Sequence, residues 1–203
     1  MRIINKVLTE SLFKMCKEEL KSKLRERCWS TSFLTWAPFL HIGITGSCLS
    51  TKVSDKLSDL IHKQIKSYLP KNDRIEFLFH LWQPESGIAG HDDGHVKCGA
   101  TIYLNDNWNP DAGGWFVWGD EETKQSGIYK ALVPTRNMMV LNDNEEMHYV
   151  TPVSPICPDM RFSIQIWCHD MDVTIDNIKK SQEMLNESTK LDAPLPKGEK
   201  TKT

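Results

Sequence analysis

The stretch from residue 161 to residue 167 reads RFSIQIW, and its apolar side chains recur at every second position. Such alternation is typical of a β-strand, in which successive side chains point to opposite faces. The apolar face carries Phe162, Ile164 and Ile166, and the polar face carries Arg161, Ser163, Gln165 and Trp167. The polar face has two interpretations, because it would meet water on a half-buried strand but would line the interior of a barrel.

Seven further β-like runs precede this strand, and turn residues separate them. They are Ile75–Trp82, Ile88–Asp93, Cys98–Leu104, Trp115–Trp118, Ile128–Val133, Met138–Leu141 and Met147–Val150, and the last strand is predicted over Phe162–Cys168. Many short strands with turn signals between them favour a sandwich or a barrel, and the double-sheet jelly roll is one such closure. The sequence therefore predicts a mainly β fold with flanking α-helices.

Two helices are predicted ahead of the strands. Apolar residues recur every four positions within residues 9–26, with Thr9 as a candidate N-cap. Ser54 can cap a second helix that ends at Pro70, and residues 29–50 between the two helices are predicted to be loop with short strands. We expect the two helices to cover one outer face of the sheet.

The chain divides into three predicted regions. Residues 1–73 form a helical support region packed on the core, and residues 74–186 form the β core, which closes with a weaker helix over Val173–Asn186. Residues 187–203 are rich in Lys, Thr and Pro and are predicted to be a disordered tail.

The composition excludes several classes of protein. Lys and Arg total 25 against 27 Asp and Glu, so the chain has no broad basic footprint for nucleic acid. No apolar run approaches the ~20 residues that a membrane span needs, and the charged N-terminus does not resemble a secretory signal. The six cysteines lack a CxxC pair, which favours reduced thiols. We therefore expect a soluble, cytoplasmic protein.

His91 and Asp93 are two residues apart on a predicted strand, so both side chains can point to one face. Imidazole and carboxylate together suit a divalent ion such as Fe(II) or Mn(II), and a third ligand from a distant strand, His148, would complete a facial triad. Two pairings that use His95 compete with this one. Asp93 with His95 repeats the pattern in reverse, and His91 with His95 would chelate zinc on a helix, which Gly94 argues against.

Arg161 is the candidate anion-binding residue. A dicarboxylate would compensate its charge inside a barrel, because guanidinium and carboxylate match in a bidentate fork and Ser163 on the same face can donate a further bond. Tyr103 shares a predicted strand face with Thr101 and Asn105. Its phenol either reaches the same carboxylate or is a core tyrosine bonded to the backbone. The remaining histidines are interpreted as structural or surface residues: His41, His62, His80 and His169.

Residues 75–168 resemble the 2-oxoglutarate/Fe(II) dioxygenases of the prolyl-hydroxylase type. The resemblance rests on the order and spacing of residues 91–93, 102–105, Trp108, Gly113-Gly114, 148–152 and 161–167. It implies a double-stranded β-helix core, in which His91, Asp93 and His148 hold Fe(II). It further implies that Arg161 binds the distal carboxylate of 2-oxoglutarate, assisted by Tyr103 and, as a further candidate, by Ser163.

The same resemblance implies hydroxylation of a C–H bond with O2, and a small-molecule or peptidyl substrate. Trp167 occupies a position that lines the active site in oxygen-sensing prolyl hydroxylases, and Trp82 stands near a position where such enzymes often carry tyrosine. With Thr101, these two residues are the candidates for the substrate pocket. Two alternatives stay open at this point: a cupin-like metalloenzyme that does not use 2-oxoglutarate, and a non-catalytic jelly-roll binding module.

Overall fold

Two antiparallel β-sheets pack against each other in the computed structural model, which describes residues 1–71, 74–94, 96–119, 121–143 and 146–169. The strands of the larger sheet are β1 (Arg2–Ile4), β2 (Ser30–Thr31), β3 (Cys48–Lys52), β4 (Arg74–Trp82), β6 (Cys98–Tyr103), β9 (Met139–Asp143) and β11 (Arg161–His169). The strands of the smaller sheet are β5 (Ile88–His91), β7 (Phe116–Trp118), β8 (Lys130–Leu132) and β10 (His148–Val150). Their spatial orders are β1-β9-β6-β11-β4-β3-β2 and β5-β10-β7-β8.

All eight predicted strands are present, so the prediction of a mainly β fold is confirmed. Most boundaries agree to within two residues, but β5 ends at His91, which places Asp93 in the connection that follows the strand. Strand β8 keeps only Lys130–Leu132 of the predicted Ile128–Val133. The candidate helix at Val173–Asn186, the tail from residue 187 and His95 lie outside the described residues.

Strand β11 lies at the centre of the larger sheet and pairs with β4 on one side and β6 on the other. Its apolar face packs in the main hydrophobic core, and its polar face points toward the smaller sheet. Arg161 and Ser163 on that polar face are each only 1% exposed. The interior interpretation of the polar face is therefore confirmed, and the half-buried interpretation is wrong.

Helices α1 (Glu10–Glu26) and α3 (Asp55–Ile65) cover the outer face of the larger sheet, as predicted. The hydroxyl of Thr9 accepts a hydrogen bond from the backbone N–H of Leu12, and that of Ser54 accepts one from Leu57, so both predicted N-caps are confirmed. The helix faces that enter the core carry Leu12, Phe13, Cys16 and Leu20 in α1, and Leu57, Ile61 and Ile65 in α3.

Residues 1–73 contribute strands as well as helices, because β1, β2 and β3 belong to the larger sheet. Two short helices between β2 and β3 were not predicted: α2 (Ser32–Thr35) and a 3-10 helix over Pro38–His41. A further short helix, α4 (Glu121–Ser126), and a 3-10 turn at Pro110–Ala112 lie in the second half of the chain. Within the described ranges, no helix is long and apolar enough to cross a membrane.

Asn137 connects the N-terminal segment to the larger sheet. Its side-chain amide donates to the carbonyl of Leu8 (2.7 Å), and its side-chain oxygen accepts from the backbone N–H of Leu8 (2.9 Å). The residue is buried and has a φ of 55°, a left-handed conformation that asparagine tolerates better than other residues with a side chain. One asparagine thus joins two segments that are far apart in the sequence.

We expect Asn137→Ala to lower the free energy of unfolding by about 2–4 kcal/mol, because two buried hydrogen bonds are lost and alanine is strained at positive φ. Urea unfolding of the two proteins measures this difference. Asn107→Ala, at an exposed position, is the matched control and should change stability little. Equal stability of the Asn137→Ala variant and the wild type would contradict the prediction.

Candidate metal centre and its cavity

Three ligand-type side chains in or next to the smaller sheet converge on one point. His91 is the last residue of β5, Asp93 follows it, and His148 begins β10 directly opposite His91. One ligand atom from each of the three residues lies within 4.8 Å of the other two. The antiparallel pairing of β5 with β10 therefore brings together residues that are far apart in the sequence.

Backbone carbonyl groups orient both imidazole rings. Nδ1 of His91 lies 2.8 Å from the carbonyl oxygen of Ala89, and Nδ1 of His148 lies 2.7 Å from that of Glu146. A carbonyl oxygen can only accept, so each Nδ1 donates to it, and in a neutral imidazole the lone pair then lies on Nε2. The two Nε2 atoms lie 3.6 Å from Asp93, one from Oδ1 and the other from Oδ2.

The environment of His91 disfavours an added proton. Asp93 is 1% exposed and His148 is 6% exposed, and the ring of Phe116 stacks on His148 with the ring centroids 5.1 Å apart. Burial and the neighbouring His148 lower the pKa of His91. Oδ1 of Asp93 is buried and has no hydrogen-bond partner among the described residues.

A buried carboxylate oxygen without a partner is costly, and a divalent cation between the carboxylate and the two imidazoles would remove that cost. Two nitrogen ligands and one carboxylate match the preferences of first-row divalent metals, Fe(II) among them. The residues present therefore fit such an ion. His91 ends a strand and Asp93 lies in the connection after it. The helical zinc pair of His91 with His95 therefore has no helix to support it.

A cavity of about 390 Å³ lies between the two sheets and reaches the three residues. Four other predicted site residues line it: Trp82, Thr101, Arg161 and Trp167. Thr101 donates a hydrogen bond from its hydroxyl to the side-chain oxygen of Gln165 (2.8 Å), which also lines the cavity. Thr101 lies on β6, and Arg161 and Gln165 lie on the neighbouring strand β11 in the middle of the larger sheet.

Arg161 is fully buried, and its Nε and Nη1 atoms have no hydrogen-bond partner among the described residues. Its guanidinium carbon lies 4.8 Å from the ring centroid of Trp82 and 5.1 Å from that of Tyr103. A Cβ at Gly114 would approach Cδ of Arg161 to 2.8 Å, so this close packing requires glycine there. Burial lowers the pKa of Arg161, but a guanidinium stays charged at neutral pH, and this one needs an anion.

The two other predicted anion-binding residues lie beside Arg161. Tyr103 is fully buried, its hydroxyl has no hydrogen-bond partner among the described residues, and burial raises the pKa of its phenol. This unpaired hydroxyl argues against a core tyrosine bonded to the backbone. Ser163 is also buried, but its hydroxyl already accepts a hydrogen bond from Nε1 of Trp82 (3.3 Å), which leaves it only its own proton to donate to an anion.

Sequence reasoning missed several residues of the cavity. His80 lines it, is 4% exposed and has an Nδ1 atom without a hydrogen-bond partner among the described residues. Burial, and then the charge of Arg161, lower the pKa of His80 to about 3, so its imidazole is neutral. Strand β4 carries apolar residues on both faces, and its sequence therefore contains no signal that His80 points inward.

The N-terminal region also contributes to the cavity wall. Trp36, Phe39 and Leu40 line it, and the ring of Trp36 packs near the rings of His80 (6.0 Å) and Trp82 (5.9 Å). These residues belong to the short helices between β2 and β3 or lie next to them. No motif marks them in the sequence, because their role depends only on where the short helices pack.

The sequence matches a family model, and the fold is similar to solved structures. The family model described as the 2OG-Fe(II) oxygenase superfamily matches residues 64–169. No curated protein sequence matches the chain. Among solved structures, a prolyl-4-hydroxylase from Pseudomonas putida is 17% identical, with a TM-score of 0.61 over 83% of this chain and 91% of that chain.

Two further solved structures are similar. A prolyl hydroxylase from Trichoplax adhaerens, in complex with a hypoxia inducible factor peptide fragment, is 16% identical, with a TM-score of 0.65 over 86% of this chain and 85% of that chain. The epimerase SnoN from nogalamycin biosynthesis is 13% identical, with a TM-score of 0.60 over 83% of this chain and 76% of that chain. At these identities the likeness is one of fold, and it confirms the double-stranded β-helix core.

The neutral state of His80 makes stability depend on pH. The unfolded chain binds a proton at this residue below about pH 6.5, whereas the folded protein does so only near pH 3. Stability therefore falls as the pH is lowered from about 6.5 toward 3, by up to about 1.4 kcal/mol per pH unit from this residue. We expect His80→Leu to remove this contribution, so urea unfolding between pH 4 and 7 should show a flatter profile than the wild type.

His80→Gln is the matched variant, because it stays polar but cannot titrate, and it should show the same flattening. Profiles of both variants that run parallel to the wild-type profile would contradict a neutral His80.

Proposed function

Because the chain belongs to the 2OG-Fe(II) oxygenase superfamily, we propose that it hydroxylates a C–H bond of a small-molecule or peptidyl substrate, converting 2-oxoglutarate and O2 to succinate and CO2. The enzyme uses Fe(II), 2-oxoglutarate and O2, as its family does. The observation that carries the proposal is one cavity that contains a His-Asp-His group and a fully buried arginine without a carboxylate partner among the described residues.

His91, Asp93 and His148 would hold the iron. The hydrogen bonds from Nδ1 to backbone carbonyl groups orient the Nε2 atoms of the two histidines, and Oδ1 of Asp93 is free of hydrogen bonds. Iron held in this way supplies the activation of O2 that C–H hydroxylation requires. The protein supplies ligand geometry and a water-poor environment, and Phe116 excludes solvent from one side of His148.

Arg161 would bind the distal carboxylate of 2-oxoglutarate. The N–H groups on its unpartnered Nε and Nη1 atoms are available to a carboxylate, and the unpartnered hydroxyl of Tyr103 can donate a further bond. Ser163 has one proton left to donate after accepting from Trp82. This arrangement favours the oxygenase over the cupin-like and the non-catalytic alternatives, because neither of those accounts for a buried guanidinium that needs an anion.

The substrate would enter the cavity beside Trp167, Trp82 and Thr101, and Trp36 and Phe39 are further residues of its lining. Apart from Asp93 and Arg161, Asp92 is the one charged residue among the described residues that line the cavity. An aromatic wall with a neutral imidazole, that of His80, supports an uncharged and largely apolar substrate group. Similar folds occur in a prolyl hydroxylase in complex with a peptide fragment and in an epimerase from nogalamycin biosynthesis, so peptidyl and small-molecule substrates are both candidates.

We expect His148→Ala and Asp93→Ala to abolish 2-oxoglutarate turnover, because each removes one of three metal ligands. Anaerobic Fe(II) titration and succinate release measure the two effects, and far-UV circular dichroism checks the fold. His169→Ala, at the far end of β11 from Arg161, is the matched histidine control and should stay active. Normal turnover in either ligand variant would refute the assignment.

Arg161→Ala should raise the concentration of 2-oxoglutarate needed for half-maximal turnover by about 10- to 100-fold, since a hydrogen bond to a charged group is worth ~1.5–3 kcal/mol. Fe(II) affinity should stay near the wild-type value. Arg161→Lys keeps the charge but loses the bidentate fork, so its 2-oxoglutarate requirement should lie between those of the wild type and Arg161→Ala. An unchanged requirement in Arg161→Ala would place the carboxylate site elsewhere.

A further inference from the structure

The two oxygens of the Asp93 carboxylate have different environments. Oδ2 accepts a hydrogen bond of 2.6 Å from the side-chain amide of Asn142, which lies on β9 of the larger sheet and is 3% exposed. Oδ1 has no hydrogen-bond partner among the described residues. The carboxylate therefore has one oxygen occupied by the protein and one oxygen without a partner.

Close packing against the larger sheet supports this arrangement. Gly99 on β6 pairs with Asn142 across the sheet. A Cβ at Gly99 would lie 2.7 Å from Oδ2 of Asp93 and 3.2 Å from the side-chain oxygen of Asn142. Residue 99 therefore has no room for a side chain, and the Asp93 carboxylate fits directly over the backbone of β6 with the Asn142 amide beside it.

We propose that Asn142 is a positioning residue that keeps Asp93 a one-oxygen ligand of the iron, an inference that rests on the proposed function. The amide occupies Oδ2 and leaves Oδ1 to the metal. A facial triad is useful in oxygen chemistry because it leaves metal positions open for other ligands. A carboxylate that chelated with both oxygens would take one of those positions, in competition with 2-oxoglutarate or O2.

The chemical nature of Asn142 suits this task. An amide N–H donates without carrying a charge, so it orients the carboxylate but does not neutralise it, as a lysine or arginine partner would. Outer hydrogen-bond partners of this kind commonly change metal affinity by about 10- to 100-fold. A merely structural asparagine, in contrast, would change the stability of the fold without changing the coordination of the metal.

The test is an anaerobic titration of the full chain with Co(II), followed by visible absorption, which reports the coordination of the ion. Asn142→Leu has nearly the same shape and lacks the donor. We expect its dissociation constant for Co(II) to rise about 10- to 100-fold and its absorption bands to shift in position and intensity. Asn142→Ser restores a hydroxyl donor and should recover part of both effects. Asn142→Ala also lacks the donor, and it carries the test if the leucine variant does not fold.

Asn137→Ala is the matched control, because it removes a buried asparagine that is hydrogen-bonded to Leu8 rather than to Asp93. It should lower stability and leave the Co(II) affinity and spectrum unchanged. A wild-type Co(II) affinity and spectrum in Asn142→Leu would overturn the inference, while the proposed function would stand. Failure of the wild-type protein itself to bind Co(II) or Fe(II) would overturn the proposed function and the inference together.

Discussion

Two opposite charges, those of Asp93 and Arg161, are buried in one cavity and do not pair with each other. An isolated buried charge is among the most costly features that a fold can contain. The architecture tolerates both because each lies where a ligand can bind. The imidazoles of His91 and His148 lie beside Asp93, whose own Oδ1 is free, and the phenol of Tyr103 and the indole of Trp82 lie beside Arg161. The cation that the family uses would compensate the charge of Asp93, and the dicarboxylate would compensate that of Arg161. Binding both should therefore also favour the folded state.

The stability that carries this arrangement comes from the other face of the larger sheet. There the apolar residues of β11, β4 and β6 pack against α1 and α3 in a continuous core. Since strand side chains alternate, the same strands present polar groups to the interior cavity without interrupting that core. One face of the sheet thus packs in the hydrophobic core, and the other lines the cavity. Arg161 can therefore be fully buried on one side of a strand whose other side is entirely apolar.

Hydrogen bonds to neighbouring groups orient the candidate metal ligands. The carbonyl groups of Ala89 and Glu146 set the tautomers of the two histidines, and Asn142 occupies one oxygen of Asp93. Burial keeps His80 neutral beside Arg161. In a dry cavity, each polar atom needs a hydrogen-bond partner from the protein or from a ligand. The polar atoms without a protein partner therefore indicate where ligands bind.

Local patterns determined much of this protein. The alternation at residues 161–167, the turn residues between short apolar runs, and the caps at Thr9 and Ser54 are short-range signals, and they predicted the strands, both long helices and the polar face that became the cavity wall. The candidate ligands His91, Asp93, His148 and Arg161 could also be named from the sequence, because chemistry restricts which residues bind metals and carboxylates. What local patterns leave undecided is which side chain faces which across the sheets. The roles of His80, Asn142 and Trp36 follow from strand register and from the packing of short helices, which depend on contacts between residues far apart in the chain, so only the tertiary structure decided them.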